Sequence, residues 1–306
     1  MIEIYYKSIR DPDFKQISEY KPGSWIHVDK ANIHDLNKLS EITNIEIADL
    51  HDSLDKHEIP RIEQKDGNII IFLRHPEESE EGLHTATIAI ILTPSYIITI
   101  SPHESKLVDS VVSSSINLAT TQKSKLLLFF LLKITHDFTL KIKRVRYAVI
   151  EQEKRMKNID NQSIVMLTKN EEKLNQYLAS IVPLRTLLEA ITSRRYVNLY
   201  EKDQDLLEDL LIALRQSEDV CRVNVKSIRS LRDAYQILFT NDVNKTIKLL
   251  TAITIIFTIP TIIASIYGMN VKLPLADHSN AFSIIMVLTL IFCVVSVWLF
   301  IRKKWL

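Results

Sequence analysis

Five hydroxyl side chains recur at heptad spacing inside an apolar stretch near the C-terminus, and we call them the hydroxyl seam: Thr251, Thr254, Thr258, Thr261 and Ser265. Intervals of three and four residues place them on one side of a helix, as in the seam of a coiled-coil bundle. Lipid offers a hydroxyl group no hydrogen-bond partner, so the hydroxyl seam is expected to face protein or water.

Two interpretations of the hydroxyl seam remain open. In the first, the hydroxyls hydrogen-bond across a helix–helix contact or back to their own backbone. In the second, they line a water-filled path, with one ring of hydroxyls at each helical turn. One helix cannot enclose a path, so the second interpretation requires several identical chains around a central axis, each contributing this helix.

The register of the seam continues towards the N-terminus through Ile247, Asn244, Thr240, Ile237 and Asp233. Together with its neighbour Leu250, Ile247 would form apolar rings near the cytoplasmic mouth, and such rings can gate a pore by dewetting. An acidic ring of Asp233 side chains is expected at the cytoplasmic exit. The membrane part of the path carries no charge that could replace the waters of a divalent cation, so a mostly hydrated ion is the expected cargo.

The hydroxyl seam lies in the first of two apolar segments at the C-terminus. Leu249–Tyr267 contains nineteen uncharged residues and Ala281–Ile301 contains twenty-one, and about twenty are needed to span a bilayer. Lys245 and Lys248 precede the first segment, and Arg302–Lys304 follow the second. The positive-inside rule therefore predicts that both termini are cytoplasmic and that the loop between the segments faces outside.

Long helices are predicted upstream of the membrane segments. From His103 to Tyr267 the chain has no glycine and only two prolines, Pro183 and Pro260, so strands and tight turns are disfavoured there. Helices are expected at about 104–117, 122–160 and 164–195. A last helix is expected to begin near Lys202 and to continue into the membrane over roughly 100 Å, as a stalk packed against copies of itself.

The first hundred residues are predicted to form an α/β domain. Asp66-Gly67 marks one β-hairpin, and Thr85–Thr93 with Tyr96–Ser101 forms a second. Short helices are expected over Ile33–Thr43 and Ile45–Lys56. The predicted organisation is a cytoplasmic α/β domain (1–120), a helical hairpin (121–200), a stalk (201–248), two transmembrane helices (249–267 and 281–301) joined by a loop (268–280), and a basic tail (302–306).

Composition excludes several classes of function. Lys and Arg number 38 against 37 Asp and Glu, so the surface lacks the basic excess that a nucleic-acid-binding protein needs. Two cysteines, Cys221 and Cys293, are too few for a disulfide framework. No phosphate-binding loop or nucleophile–base pattern indicates an enzyme or an organic cofactor. The N-terminus shows no secretory signal, because no basic start precedes an apolar run.

The first apolar segment ends in Tyr267-Gly268-Met269-Asn270, and the chain ends in Lys303-Lys304-Trp305-Leu306. With Asn244, Lys248, Leu250 and Thr251 upstream, this layout resembles the CorA-type family of divalent-cation transporters. The resemblance implies a funnel-shaped homopentamer in a bacterial or archaeal plasma membrane, Mg²⁺ as the transported ion, and an outer selectivity ring of Gly268, Met269 and Asn270. We expect Gly268 to end the helix with a positive φ and Asn270 to accept hydrogen bonds from the waters of the ion.

One departure from the family leaves the preferred cation open. Many members carry Met-Pro-Glu-Leu shortly after the motif, whereas this chain has Leu273-Pro274-Leu275-Ala276. The cation-gathering acid is therefore missing, and Asp277 is a possible replacement. Transport of Zn²⁺, Co²⁺ or Ni²⁺, with or without proton coupling, is the alternative within the family. A membrane-anchored sensor that conducts no ion is an alternative outside it.

The resemblance also implies regulation by cytoplasmic Mg²⁺, which holds the pore shut when it binds between subunits. Asp52, which precedes Pro60-Arg61-Ile62-Glu63, and Asp209 on the stalk match the aspartates that bind this ion. His51 stands where the family often has an acid. Solvated surface acids remain the alternative interpretation of both aspartates.

Overall fold

The computed structural model describes residues 1–78, 82–114, 118–154, 161–193, 196, 200–275 and 279–305. The chain divides into two compact units, Met1–Ser230 and Leu231–Leu306. We call them the first unit and the second unit.

The first unit is built on a mixed sheet of seven described strands in the order β2-β1-β3-β7-β6-β5-β4. The strands are β1 (Ile2–Tyr6), β2 (Lys15–Gln16), β3 (Trp25–Val28), β4 (Arg61–Lys65), β5 (Asn68–His75), β6 (Ala86–Leu92) and β7 (Ile97–Ile100). All neighbouring strands are antiparallel except β3 and β7, which pair in parallel from Trp25 opposite Ile97 to Val28 opposite Ile100.

Both predicted hairpins are confirmed. Lys65 pairs with Asn68 across a two-residue turn, in which Asp66 and Gly67 have φ values of 47° and 78°. Positive φ at both positions is typical of the hairpin turn whose twist matches that of the strands. The second hairpin joins β6 to β7, with Leu92 opposite Ile97.

Helices cover both faces of the sheet, which explains why β5, β6 and β7 are almost continuously apolar. On one face, α1 (Ile33–Thr43) and α2 (Ile47–His51) pack Leu36, Leu39 and Leu50 into a buried core. The opposite face carries Trp25, whose ring centroid lies 5.6 Å from that of Phe130. Alternate residues of a strand point to opposite faces, so Trp25 and its neighbour Ile26 pack on opposite faces of the sheet.

The remaining helices are α3 (Lys106–Val112), α4 (Lys123–Lys154), α5 (Asn161–Thr192), α6 (Glu201–Tyr267) and α7 (Ala281–Arg302). The predicted fold class, an α/β domain followed by a long helix and two apolar C-terminal helices, is confirmed. Two local predictions were inaccurate. Helix α3 is shorter than predicted, and the single helix expected over Ile45–Lys56 is instead α2 followed by a short 3-10 helix at Asp52–Leu54.

Candidate functional site: the exposed face of α6 and its C-terminal end

Helix α6 and helix α7 are the two described helices that are long and apolar enough to cross a membrane. In the most apolar window of each, only 6% of α6 and 0% of α7 is buried inside the chain. A soluble core helix of this composition would be mostly buried. The apolar side chains of both helices therefore require an environment outside the chain, which lipid and further copies of the chain can supply.

Within the second unit, α7 packs against one face of α6. Ala252 is fully buried, and Ile256 and Ile263 on the same face are partly buried. The contact is marked by the Cys293 thiol, whose Sγ lies 3.9 Å from the carbonyl oxygen of Ile256.

The hydroxyl seam lies on the opposite side of α6. All of its five residues are exposed in the chain. At 3.6 residues per turn, the centre of the hydroxyl seam is roughly 160° around the helix from the residues that contact α7. The structure therefore brings the predicted seam residues together on one continuous face that no described part of the same chain covers.

Four of the five hydroxyl hydrogens of the seam are used inside the helix. Thr251 and Thr254 donate to the carbonyl oxygens of Ile247 and Leu250, both at 2.8 Å. Thr258 and Thr261 donate in the same way to the carbonyl four residues earlier, at 2.7 and 2.9 Å. Bonding to the backbone was one of the two interpretations of the sequence. It leaves the lone pairs of each hydroxyl oxygen outward, so the same group can still accept hydrogen bonds from water.

The predicted continuation of the path towards the N-terminus is also exposed. This holds for Asp233, Thr240, Asn244, Ile247 and Leu250. Exposure is 55% for Ile247 and 64% for Leu250, which is high for large apolar side chains. Exposed apolar side chains of this size favour burial against lipid or another protein surface.

The prediction that Gly268 adopts a positive φ was wrong. Positive φ occurs at three glycines, Gly23, Gly67 and Gly82. Gly268 instead continues the last turn of α6, and its N–H donates to the Ala264 carbonyl at 3.0 Å. A Cβ atom on Gly268 would lie 3.3 Å from that carbonyl oxygen, a contact that comes with the helical hydrogen bond to the same group.

Met269 and Asn270 follow Gly268 as exposed residues just beyond the end of α6. The Tyr267 hydroxyl donates to the Pro274 carbonyl at 3.2 Å and so links the end of α6 to the loop. Asp277, the predicted substitute for the missing acid, lies outside the described residues.

The two candidate regulatory aspartates have different surroundings. Asp52, in the 3-10 helix, accepts a hydrogen bond from Arg61 Nη2 at 2.6 Å. Arg61 also donates to Glu63 at 2.7 Å and to Glu58, so one guanidinium serves three carboxylates. Asp209 is exposed on α6. Sequence reasoning missed the Arg61 contact, because nothing in the spacing of these residues indicates it.

A single chain does not assemble a metal site from these acids. Among the residues that the structure describes, no group of three or more His, Cys, Asp or Glu side chains is arranged to hold a metal ion.

The sequence of the chain matches a known protein family. The family model described as "CorA-like Mg2+ transporter protein" matches residues 21–303. The cobalt/magnesium transport protein CorA of Methanocaldococcus jannaschii is 26% identical over 313 residues, covering 98% of this chain and 96% of that protein. The corresponding protein of Thermotoga maritima is 22% identical over 314 residues, covering 98% and 89%.

The fold is also similar to a solved structure of this kind. The complete structure of the CorA magnesium transporter from M. jannaschii superposes with a TM-score of 0.82 at 24% sequence identity. The superposition covers 100% of this chain and 99% of that one.

Proposed function

The chain belongs to the CorA-like Mg²⁺ transporter family, and from that premise we propose that it admits hydrated Mg²⁺ to the cell through a pore lined by the hydroxyl seams of several copies. As a member of this family it is a membrane transporter of divalent cations and not an enzyme. The observation that carries the proposal is the exposed face of α6, on which four threonine oxygens keep their lone pairs outward.

The chemistry of this face suits a cation that keeps its water. Mg²⁺ loses its hydration shell reluctantly, and its bound waters point their hydrogens outward. Those hydrogens can donate to the hydroxyl oxygens, while the absence of carboxylates from the membrane part of the seam avoids tight binding and slow release. The membrane potential, inside negative, favours influx by about 2.3 kcal/mol per charge per 100 mV.

The assembly that encloses the pore is proposed to be a homopentamer, as the family resemblance implies. One exposed seam on each chain needs others to close a path, and the exposed Ile247 and Leu250 side chains supply apolar surface for that purpose. In this assembly Ile247 and Leu250 act as the dewetting gate, Asp233 forms an acidic ring at the cytoplasmic end, and α7 lies outside against lipid. Both termini are cytoplasmic, as the flanking basic residues favour.

The outer end of the pore is proposed to be the selectivity ring of Gly268, Met269 and Asn270. A carboxamide oxygen from each Asn270 accepts hydrogen bonds from the waters of the arriving ion. The hydrogen bond from the Gly268 N–H to the Ala264 carbonyl holds the start of this ring to the end of α6, which supports a fixed position for it.

The direct test is ion flux into liposomes that contain the purified full-length protein, measured with metal-sensitive dyes for Mg²⁺, Zn²⁺, Co²⁺ and Ni²⁺. We expect Mg²⁺ flux, and we expect Asn270→Ala to lower it roughly tenfold, as for the loss of a charge-assisted contact of about 1.4 kcal/mol. Asn280→Ala, at an exposed asparagine of the same loop, is the matched control. Unchanged flux in Asn270→Ala refutes the selectivity ring, and flux of Zn²⁺ without Mg²⁺ refutes the preferred cation.

Regulation by cytoplasmic Mg²⁺ is the remaining part of the proposal, with Asp209 of one chain and Asp52 of another as ligands. The Arg61 bridge to Asp52 competes with a metal ion for the same carboxylate, which favours a weak site that fills only at high Mg²⁺. We expect Asp209→Asn to keep transporting at internal Mg²⁺ concentrations that stop the unmodified protein. Asp219→Asn, at another exposed acid of α6, should behave as the unmodified protein does. If internal Mg²⁺ stops Asp209→Asn as well, this ligand assignment is wrong.

A further inference from the structure

Five basic residues gather at one end of the α6–α7 pair in the second unit, and we call them the basic cluster: Lys245, Lys248, Arg302, Lys303 and Lys304. All of them are exposed. The first two precede the apolar segment of α6, and the other three end α7 and follow it.

The packing of α7 on α6 brings the two groups of bases to the same level. Cys293 contacts Ile256. From there to Arg302, α7 advances nine residues, or about 14 Å. Nine residues back along α6 from Ile256 is Ile247, so the end of α7 lies beside Lys245 and Lys248.

The two lysines of α6 also lie on the side that faces α7. Lys248 precedes the buried Ala252 by four residues and Lys245 precedes it by seven, and residues at these spacings share one helix face. The hydroxyl seam is on the opposite side of α6. The two lysines of α6 therefore lie away from the hydroxyl seam, on the side where α7 and its own bases are.

The end of α7 holds its bases in a defined conformation. Lys304 has a φ of 55°, and the Trp305 N–H donates to the Phe300 carbonyl at 2.9 Å, as in a helix-ending turn. The Trp305 ring stacks on Phe300, with ring centroids 5.6 Å apart. The Arg302 guanidinium lies over the Trp298 ring at 5.5 Å.

Little negative charge within the chain balances the basic cluster. In the described part of the second unit, an acidic partner is found for Lys245 alone, in Asp242 at 2.9 Å. One base would be explained by the negative end of the helix dipole. Five bases lie together at this end of the helix pair, beside tryptophans of the kind found at membrane surfaces. A cluster of this size requires a larger negative partner.

We propose that the basic cluster binds the phosphate headgroup of an anionic phospholipid. The phosphate complements the four members of the cluster that have no acidic partner among the described residues, and the tryptophan rings sit where headgroup and acyl chain meet. The proposal requires only that α6 and α7 span the bilayer, so it is independent of the ion that the pore conducts.

The tryptophans of the chain provide a direct measurement. There are three: Trp25 is buried in the sheet of the first unit, whereas Trp298 and Trp305 adjoin the basic cluster. The full-length protein is reconstituted in phosphatidylcholine vesicles that contain a small fraction of brominated phosphatidylglycerol or, in parallel, brominated phosphatidylcholine. Bromine quenches nearby tryptophan. We expect half-maximal quenching at about fivefold less phosphatidylglycerol, a preference that shrinks as salt rises.

Charge-neutral variants test the assignment. The triple variant Arg302→Gln/Lys303→Gln/Lys304→Gln should lose the preference and still be quenched by brominated phosphatidylcholine, which shows that it is inserted. Lys245→Gln/Lys248→Gln tests the α6 side independently and should weaken the preference. The matched control Lys38→Gln/Lys169→Gln/Lys226→Gln removes three exposed charges from the first unit and should keep it.

Two results would overturn the proposal: equal quenching by the two lipids in the unmodified protein, or an unchanged preference in the triple variant. Cation flux measured in the same vesicles reports separately on the proposed function. Flux without lipid preference rejects the lipid site alone, and lipid preference without flux rejects the transport mechanism alone.

Discussion

The threonines of the hydroxyl seam use their hydroxyl hydrogens within the helix and keep their oxygens as acceptors. A threonine inside a helix donates readily to the carbonyl four residues earlier, and four threonines of the seam do so. The donation fixes the oxygen with its lone pairs outward and satisfies the hydrogen within the helix. The wall of the proposed pore is therefore a row of hydrogen-bond acceptors.

Replacing Thr258 by valine, which has nearly the same shape, removes one acceptor from every chain of the assembly. We expect Mg²⁺ flux in proteoliposomes to fall roughly tenfold, because a ring of apolar methyl groups cannot accept hydrogen bonds from the hydrated ion. Thr289→Val makes the same chemical change on α7, where the hydroxyl also donates to the carbonyl four residues earlier. Equal loss of flux in the two variants would mean that the threonine matters for folding and not for conduction.

The residues of the proposed pore could be predicted from the sequence, but some of their geometry could not. Heptad spacing identified Thr251 to Ser265 as one face, since helical periodicity depends only on local order along the chain. The prediction for Gly268 was wrong, because a glycine after a helix often adopts positive φ, whereas Gly268 keeps the helical hydrogen bond to the Ala264 carbonyl. Only the coordinates distinguish a continued helical turn from a left-handed helix end.

The pairing of α6 with α7 depends on a fully buried alanine. Ala252 has 0% exposure in an otherwise exposed helix segment, so its small side chain sets the distance between the two backbones. A larger side chain there would separate the helices.

Ala252→Leu should loosen this contact at a cost of about 1–3 kcal/mol, which is typical of overpacking. The measurement is the rate at which a maleimide labels Cys293 in micelles, and we expect an increase of at least fivefold. Cys221 should contribute little signal, since burial, with a smaller contribution from Glu218, raises the pKa of its thiol to about 12. Ala264→Leu, at an exposed alanine, is the control. An unchanged labelling rate in Ala252→Leu would show that the helices do not depend on this contact.

Elements formed by local sequence were predicted well, and long-range pairings were not. The Asp66-Gly67 turn brings Lys65 and Asn68 into register with a two-residue connection, so the sequence itself indicates the hairpin. The parallel pairing of β3 with β7 joins Trp25 to Ile97. No local pattern indicates which distant strand fills the centre of the sheet, and β1, β2 and β3 were not predicted.

At the level of the whole chain, the first unit carries a buried histidine that makes its stability depend on pH. His75 ends β5 and is 3% exposed, with Nε2 3.6 Å from Glu77 Oε2. Burial, with the positive charges of Arg74 and His103, lowers the pKa of His75 to about 4. The native histidine is therefore neutral at physiological pH.

The sign of the pH effect follows from the difference between the folded and unfolded chains. Unfolded histidine has a pKa of about 6.5, so between pH 6.5 and 4 the unfolded chain binds more protons. The free energy of unfolding should therefore keep its full value above pH 6.5. It should decrease by about 3 kcal/mol as the pH falls to 4. Urea unfolding of the full-length protein in micelles, followed by Trp25 fluorescence in a Trp298→Phe/Trp305→Phe background, measures this slope.

His75→Gln should flatten the slope, whereas His34→Gln, at an exposed position of α1, should not. A slope that is the same in all three proteins would assign the pH dependence to other groups. The sequence gives no indication of this effect, because burial of His75 depends on how the sheet and the helices pack.

The sequence predicted the second unit better than it predicted the contacts of the first unit. The uncharged segments and the basic residues around them identified the membrane part of the chain without reference to any partner. In the first unit, by contrast, the link between Asp52 and Arg61 arises from the fold. The regulatory part of the proposal therefore depends on contacts that only the structure reveals.

The four threonine hydroxyls of the seam have already given their hydrogens to the backbone, so their rings have none to offer chloride or another anion. Each Mg²⁺ ion that passes then brings two positive charges with no companion, so transport is an electric current. In a sealed vesicle such a current would build up a voltage that opposes it, and uptake would stall until another ion carried charge out. A potassium-selective ionophore should restore it.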